Sequence, residues 1–190
     1  MTALFTAAAK LQDLFESRGW RFCVIGGLAL ARWGEPRLTQ DVDLTLFTGF
    51  GREEEFIRAI LDGGYRERVP GAAAFATQRR VLLINASDGT PIDVSLAGLP
   101  YEELVVSRSS KFEFEPGCNL RTCSAEDLVV LKLFAARERD ILDVKTVVIR
   151  QSGRLDWRYI EEQLRPLAEL KEAPEIMIEM ARLKTLDRIR

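Results

Sequence analysis

The chain is 190 residues long, 47% hydrophobic and 29% charged, with a formal net charge of −2. This is enough apolar content for one sizeable core, with or without a small helical annex, and it argues against disorder; a near-neutral balance gives no global attraction to nucleic acid, so any such binding has to be local. Histidine is absent, which excludes a His-ligated zinc or iron centre.

No run of residues approaches the length of a membrane span, and the first residues lack a charged region followed by an apolar stretch and cleavage site. The expectation is a cytoplasmic protein with no membrane partner. Cys23, Cys118 and Cys123 have no metal-ligand spacing and are odd in number, so they read as packing residues rather than a disulfide framework.

In chain order, Leu4, Ala8, Leu11, Leu14 and Phe15 recur at helical spacing and predict an amphipathic helix over residues 3–18, stopped by Gly19. Residues 21–25 read as a short buried strand that runs into Gly26 and Gly27 and then a helix over 28–33. A strand over 41–47, a helix over 53–61 and a strand over 80–85 follow. The turn Ser87, Asp88, Gly89, Thr90 then leads into a hairpin partner over 92–96. Beyond Gly98 come a short helix near 101–106 and weak strands around 111–114 and 119–122. Ser124 followed by Asp127 resembles an N-cap, and helical periodicity continues over 140–149, 157–164 and 174–186. The fold class is α+β: a short mixed β-sheet flanked by helices, with a C-terminal helical tail. The expected division is residues 1–100 as the core and 101–190 as connecting strands and helical region.

The chemistry concentrates in Gly26-Gly27, Asp41-Val42-Asp43 and Ile92-Asp93-Val94. Side chains alternate across a strand, so Asp41 and Asp43 share one face while Val42 and Leu44 take the other, and Asp93 has the same relation to Ile92 and Val94. If the two strands pair, three carboxylates converge. Two like charges about 4 Å apart repel by roughly 4 kcal/mol at an effective dielectric near 20, so a positive group is expected there. An all-oxygen donor set suits Mg²⁺ or Mn²⁺. Glycines at a strand-to-helix turn permit close approach of a phosphate to backbone N–H groups, although such turns are also common for steric reasons alone. Together these features point to nucleotidyl transfer from an NTP with two metal ions.

Arg37 and Thr39 precede the acidic strand and are candidates for orienting phosphates; for Arg37 the ordinary alternative is a salt bridge to Glu35 or the aspartates. Lys132 lies among apolar neighbours, where a charge either serves function or snorkels outward. Asp140 and Asp143 sit three apart on a helix, and pairing with Arg137, Arg139 or Lys145 is the ordinary expectation, with Asp140 the better functional candidate. Arg150, Arg154, Arg158 and Trp157 read as a solvated helix face with one anchoring tryptophan more readily than as an RNA platform.

The stretch from Gly26 to Leu44, containing Gly26-Gly27 and Asp41-Val42-Asp43, resembles the signature of the nucleotidyltransferase superfamily, the fold of DNA polymerase β. Lys132 together with Arg139, Asp140 and Asp143 is similar to the AbiEii-like branch, which includes toxins of type IV toxin–antitoxin systems. The resemblance implies Asp41 and Asp43 as metal ligands, Asp93 as the third carboxylate, Gly26 and Gly27 as the phosphate turn, and Lys132 and Asp140 as accessory site residues. It also implies an RNA end such as tRNA as acceptor and an antitoxin as partner. Where many AbiEii-like chains carry a hydroxyl residue after the glycines, this one has Leu28, Ala29, Leu30 and Ala31, so phosphate contact from that turn has to come from backbone. Two alternatives remain at this point: the same chemistry on a small-molecule or protein hydroxyl, or a non-catalytic nucleotide-binding module.

Overall fold

The computed structural model describes residues 2–187. The elements in chain order are α1 (Thr2–Ser17), β1 (Phe22–Val24), α2 (Gly26–Trp33), β2 (Val42–Phe47), α3 (Glu53–Asp62), β3 (Arg66–Glu67), α4 (Ala72–Arg79), β4 (Val81–Asn85) and β5 (Pro91–Ala97). They continue with α5 (Pro100–Ser107), β6 (Ser110–Glu115), β7 (Cys118–Thr122), α6 (Ala125–Ala135), α7 (Glu138–Gln151), α8 (Trp157–Leu170) and α9 (Glu175–Asp187). The chain divides into two compact units. One comprises the residues up to Leu28 together with Leu38–Cys123, and the other comprises Ala29–Arg37 and the chain from Ser124 onward. The boundary expected after residue 100 falls at the first residue of α5, inside the first unit.

The first unit is built on a mixed seven-stranded sheet in the order β3-β4-β5-β2-β1-β7-β6. β2 and β5 pair in parallel, as do β1 and β7; the other neighbours are antiparallel. Alternation in β2 and β5 sends Val42, Leu44, Leu46, Ile92, Val94 and Leu96 into one core. There they join Leu82 and Ile84 of β4, Phe5, Leu11 and Phe15 of α1, and Phe56 and Ile60 of α3. Each such side chain contributes about 1.5–3 kcal/mol on burial. A one-residue slip would turn a whole row to the other face, so the register is strongly specified. α5 packs against β1 and β2. Gln12 of α1 ties itself to β7, donating to the Asn119 carbonyl at 2.9 Å and accepting from the Arg121 N–H at 2.8 Å.

β3 and α4 are absent from the sequence expectation for physical reasons. β3 is two exposed residues held by backbone pairing to β4, and α4 buries only Ala72 and Ala76, so neither has an apolar period to read.

In the second unit Ser124 caps α6: its Oγ accepts from the Asp127 N–H at 3.1 Å and donates to Asp127 Oδ2 at 2.6 Å. Tyr159 of α8 donates to the other oxygen of this fully buried carboxylate at 2.7 Å. α8 continues through Pro166 to Leu170, past the end expected near Leu164. Proline removes a helical hydrogen bond, and Pro166 and Glu162 both lie on the exposed face of the helix. Cys23 and Cys123 are buried and Cys118 is partly buried; all three are free thiols.

At the junction of β1 and α2, Gly26 has φ +59°, and a Cβ there would overlap the Asp43 carboxylate. Gly89, in the β4–β5 turn, has φ +85° with open space around it. Gly26→Ala therefore incurs the left-handed strain of about 1–2 kcal/mol plus displacement of Asp43, whereas Gly89→Ala incurs the strain alone. Urea denaturation is expected to show the larger loss for Gly26→Ala; equal losses would refute the packing argument.

Candidate active site

Asp43 and Asp93 are cross-strand partners in the parallel β2–β5 ladder, and Asp41 stands just before β2. All three side chains are partly buried, and one carboxylate oxygen from each lies within 4.8 Å of the others. At an effective dielectric near 20, each pair at this separation repels by about 3 kcal/mol. Nothing in the folding of the sheet requires that cost.

Neighbouring residues hold each acid differently. Thr39 donates its hydroxyl to Asp41 Oδ1 at 2.9 Å, and Gly27 makes room for Thr39, since a Cβ at Gly27 would sit 2.7 Å from that same hydroxyl oxygen. Thr39 thus meets the acids directly, orienting Asp41. The Ile25 N–H donates to the Asp43 carbonyl at 2.9 Å, fixing β2 beside the glycine turn. Gly26 and Gly27 begin α2 itself, so their N–H groups belong to its first turn.

Asp93 has an unforeseen neighbour. Arg68 Nη2 lies 2.7 Å from Asp93 Oδ1 as an ion pair, yet that oxygen is buried and receives no well-directed hydrogen bond. Burial pushes the Asp93 carboxyl above its ordinary value; Arg68 opposes the shift and Asp41 adds to it. The sequence trace of Arg68 is faint: a charged run, Arg66, Glu67, Arg68, after Tyr65, with no apolar alternation to mark a strand.

Arg37, Lys132 and Asp140 belong to the second unit and form a buried ion network with Asp143. Lys132 Nζ lies 3.2 Å from Asp140 Oδ1 and 2.6 Å from Asp143 Oδ2. Arg37 grips Asp143 with Nε at 2.9 Å and Nη2 at 3.0 Å, and Arg137 Nε reaches Asp140 Oδ2 at 2.6 Å. Lys132 therefore does not snorkel: it is 6% exposed, with Asp140 at 2% and Asp143 at 4%. Arg37 thus pairs with Asp143, 106 residues along the chain, a partner outside the sequence expectation. The helix-face residues have local partners too: Trp157 Nε1 donates to Asp187 at 2.7 Å, Arg158 pairs with Glu162, and Arg154 bonds the Arg150 carbonyl.

Burial alone would raise Asp140 and Asp143, but hydrogen bonds from Arg137 to Asp140, from Arg37 to Asp143 and from Lys132 to both outweigh it and hold both carboxyls below the ordinary 3.8. A depressed folded-state value means that the stability is present above 3.8 and is lost as pH falls through the lower folded values. Asp143→Asn, which leaves Lys132 and Arg37 short of a buried counter-charge, is expected to lose about 3 kcal/mol at pH 7. Urea melts should show the gap to the native protein narrowing below pH 3.8; a gap independent of pH would refute the assignment.

The family model for the nucleotidyl transferase AbiEii toxin, type IV TA system, matches residues 11–153. No curated protein matches the chain. Among solved structures, the solution structure of the antibiotic-resistance factor ANT(2'')-Ia is similar over 97% of this chain and 92% of its own, at 19% identity and a TM-score of 0.50. The crystal structure of an antigenic nucleotidyltransferase-like protein from Paracoccidioides brasiliensis is similar over 94% of this chain and 92% of its own, at 14% identity and a TM-score of 0.51. At these identities the likeness is one of fold. With the family model spanning most of the chain, and with the acids and glycine turn arranged as described, the protein belongs to the AbiEii nucleotidyl transferase family.

Proposed function

We propose that the protein is a metal-dependent enzyme that moves a nucleoside monophosphate from an NTP to an acceptor hydroxyl, releasing pyrophosphate, and that the acceptor is an RNA end, tRNA being the first candidate. The observation that carries this reading is the meeting of Asp41, Asp43 and Asp93 within 4.8 Å of one another beside the Gly26 turn. The donor set fits Mg²⁺ or Mn²⁺: it is all oxygen, and the buried Asp93 Oδ1 has no hydrogen bond of its own. When bound, such ions neutralise the triphosphate and acidify the acceptor hydroxyl.

The chain's own residues do the rest by placement. Asp41 and Asp43 hold the ions, with Thr39 fixing Asp41. Gly26 and Gly27 let Asp43 and Thr39 pack directly against the start of α2, which brings the acids beside its first-turn N–H groups, the backbone groups that would meet a phosphate. The acceptor oxygen bonds to the α-phosphorus, the bond from that phosphorus to the bridging oxygen of the leaving pyrophosphate breaks, and the hydroxyl proton passes to Asp93, whose carboxyl is pushed above its ordinary value by burial. Lys132, Asp140 and Arg37 are the proposed accessory groups, Lys132 and Asp140 buried with Asp143 and Arg37 half-buried against it. The type IV toxin–antitoxin character of the family supports an antitoxin as partner.

A small-molecule hydroxyl is the second reading, favoured by likeness in fold to an antibiotic-resistance factor. Labelled NTPs and Mg²⁺ should be incubated with total RNA and, separately, with aminoglycosides. Label in RNA, lost on chelation, is the expected result, and label in the aminoglycoside arm alone would transfer the proposal to the second reading. Asp43→Asn should slow transfer at least ~10³-fold, the scale of several kcal/mol of charge stabilisation. Folded, metal-replete protein that labels no acceptor would defeat both readings.

A further inference from the structure

We propose that the open face of the sheet beside Asp93, formed by β5, β4 and β3, seats the acceptor, and that Arg66 and Asn85 on this strip bind the backbone of a single-stranded RNA end. The inference rests on the metal-dependent reading and deepens it by giving the acceptor a surface.

Directly paired residues of a sheet share a face, and alternate residues along a strand return to it. The acid row of Asp43 and Asp93 continues across β4 through Leu83, and the neighbouring row on the same face runs Pro91, Asn85, Arg66. Arg68, whose N–H donates to the Leu83 carbonyl at 3.0 Å, ends the acid row and reaches Asp93 along it. The two faces of these strands differ sharply in cover. Leu82, Ile84, Ile92 and Val94 are fully buried, whereas Leu83, Asn85, Pro91 and Asp93 are part-exposed and Arg66 is exposed. The strip is therefore continuous with the acids and open to a ligand.

Two polar groups on it lack partners within the chain. The Arg66 guanidinium has no carboxylate partner among the described residues. Asn85 has no side-chain hydrogen bond, and its Oδ1 is buried without a donor, which costs about 1–3 kcal/mol. Turning this amide toward an incoming phosphate or ribose breaks no bond. Arg66 stands two strand spacings from Pro91, and Asp93 lies one alternation along β5, so strand geometry puts the Cα atoms of Arg66 and Asp93 about 12 Å apart. That span suits the nucleotides next to a reacting 3′ end. Charge selects among acceptors: a phosphodiester backbone meets an unpaired guanidinium as a matched, doubly bonded pair. An aminoglycoside, cationic at neutral pH, would be repelled by it. Leu83 and Pro91 offer apolar contact to sugar and base between the two polar residues and the acids.

Fluorescence anisotropy with a labelled single-stranded RNA bearing a free 3′ hydroxyl, in Mg²⁺ without NTP, tests the surface apart from turnover. Arg66→Gln should weaken RNA binding about five-fold at ~0.1 M salt and reduce the slope of log affinity against log salt by about 0.7, the loss of one phosphate contact on a single strand. Arg66→Lys, which keeps the charge, should hold the native slope. Asn85→Ala should weaken binding with the slope unchanged and without a fall in Tm, because no bond within the chain is lost. Affinity for Mg²⁺–NTP should match the native value in every variant. Loss of NTP affinity in Arg66→Gln would assign that cation to the donor nucleotide and overturn the inference. Native RNA affinity and slope in folded Arg66→Gln would overturn it too, leaving the metal-dependent reading intact. Native protein that binds no RNA yet labels an aminoglycoside would defeat the RNA acceptor in both.

Discussion

The parallel register of β2 on β5 is the constraint on which the rest of the first unit depends. It aligns Val42 with Ile92, Leu44 with Val94 and Leu46 with Leu96, and in the same stroke aligns Asp43 with Asp93. One alternation therefore does two opposite things: the apolar face supplies the driving force for the sheet, and the polar face spends part of it by forcing carboxylates together. Because the apolar rows fix the register so strongly, the acids have no freedom to relax apart by sliding. Their repulsion is answered locally, by Thr39 on Asp41 and by Arg68 on Asp93.

Much of this was legible in the residues because it rests on period-two patterns. The strands around Asp43 and Asp93, the glycine turn and the Ser124 cap all carry local signatures, and the convergence of the acids followed once the strands paired. What escaped was whatever depends on backbone alone or on distant partners. β3 has no side-chain pattern, and Arg68 matters only because β3 lies beside β4, which lies beside β5. Likewise, Lys132 announced itself as a charge in an apolar run, but its pairing with Asp143 and the grip of Arg37 on that same acid span long sequence separations. No local rule joins those positions.

The two ion clusters differ in kind. In the second unit, Lys132 and Arg37 meet Asp143 with directed hydrogen bonds, and Arg137 closes the far side of Asp140, so each buried carboxylate is satisfied. Breaking such a pair is costly, because it strands the other charge in the interior. In the first unit three carboxylates converge, and Asp93 Oδ1 lacks a directed bond. The satisfied cluster is suited to architecture, the unsatisfied one to chemistry.

The weaving of the chain, which leaves the first unit within α2 and returns at Leu38, bears on how the molecule is made. Residues 29–37 emerge early from the ribosome, but the helices they pack with follow only after the whole sheet has been translated. At ~5–20 residues per second this is a wait of several seconds. During that interval Leu30, fully enclosed in the finished protein, lacks its shelter. Completion of the second unit is thereby a late event of biosynthesis, and nascent chains halted before Ser124 are natural clients for chaperones.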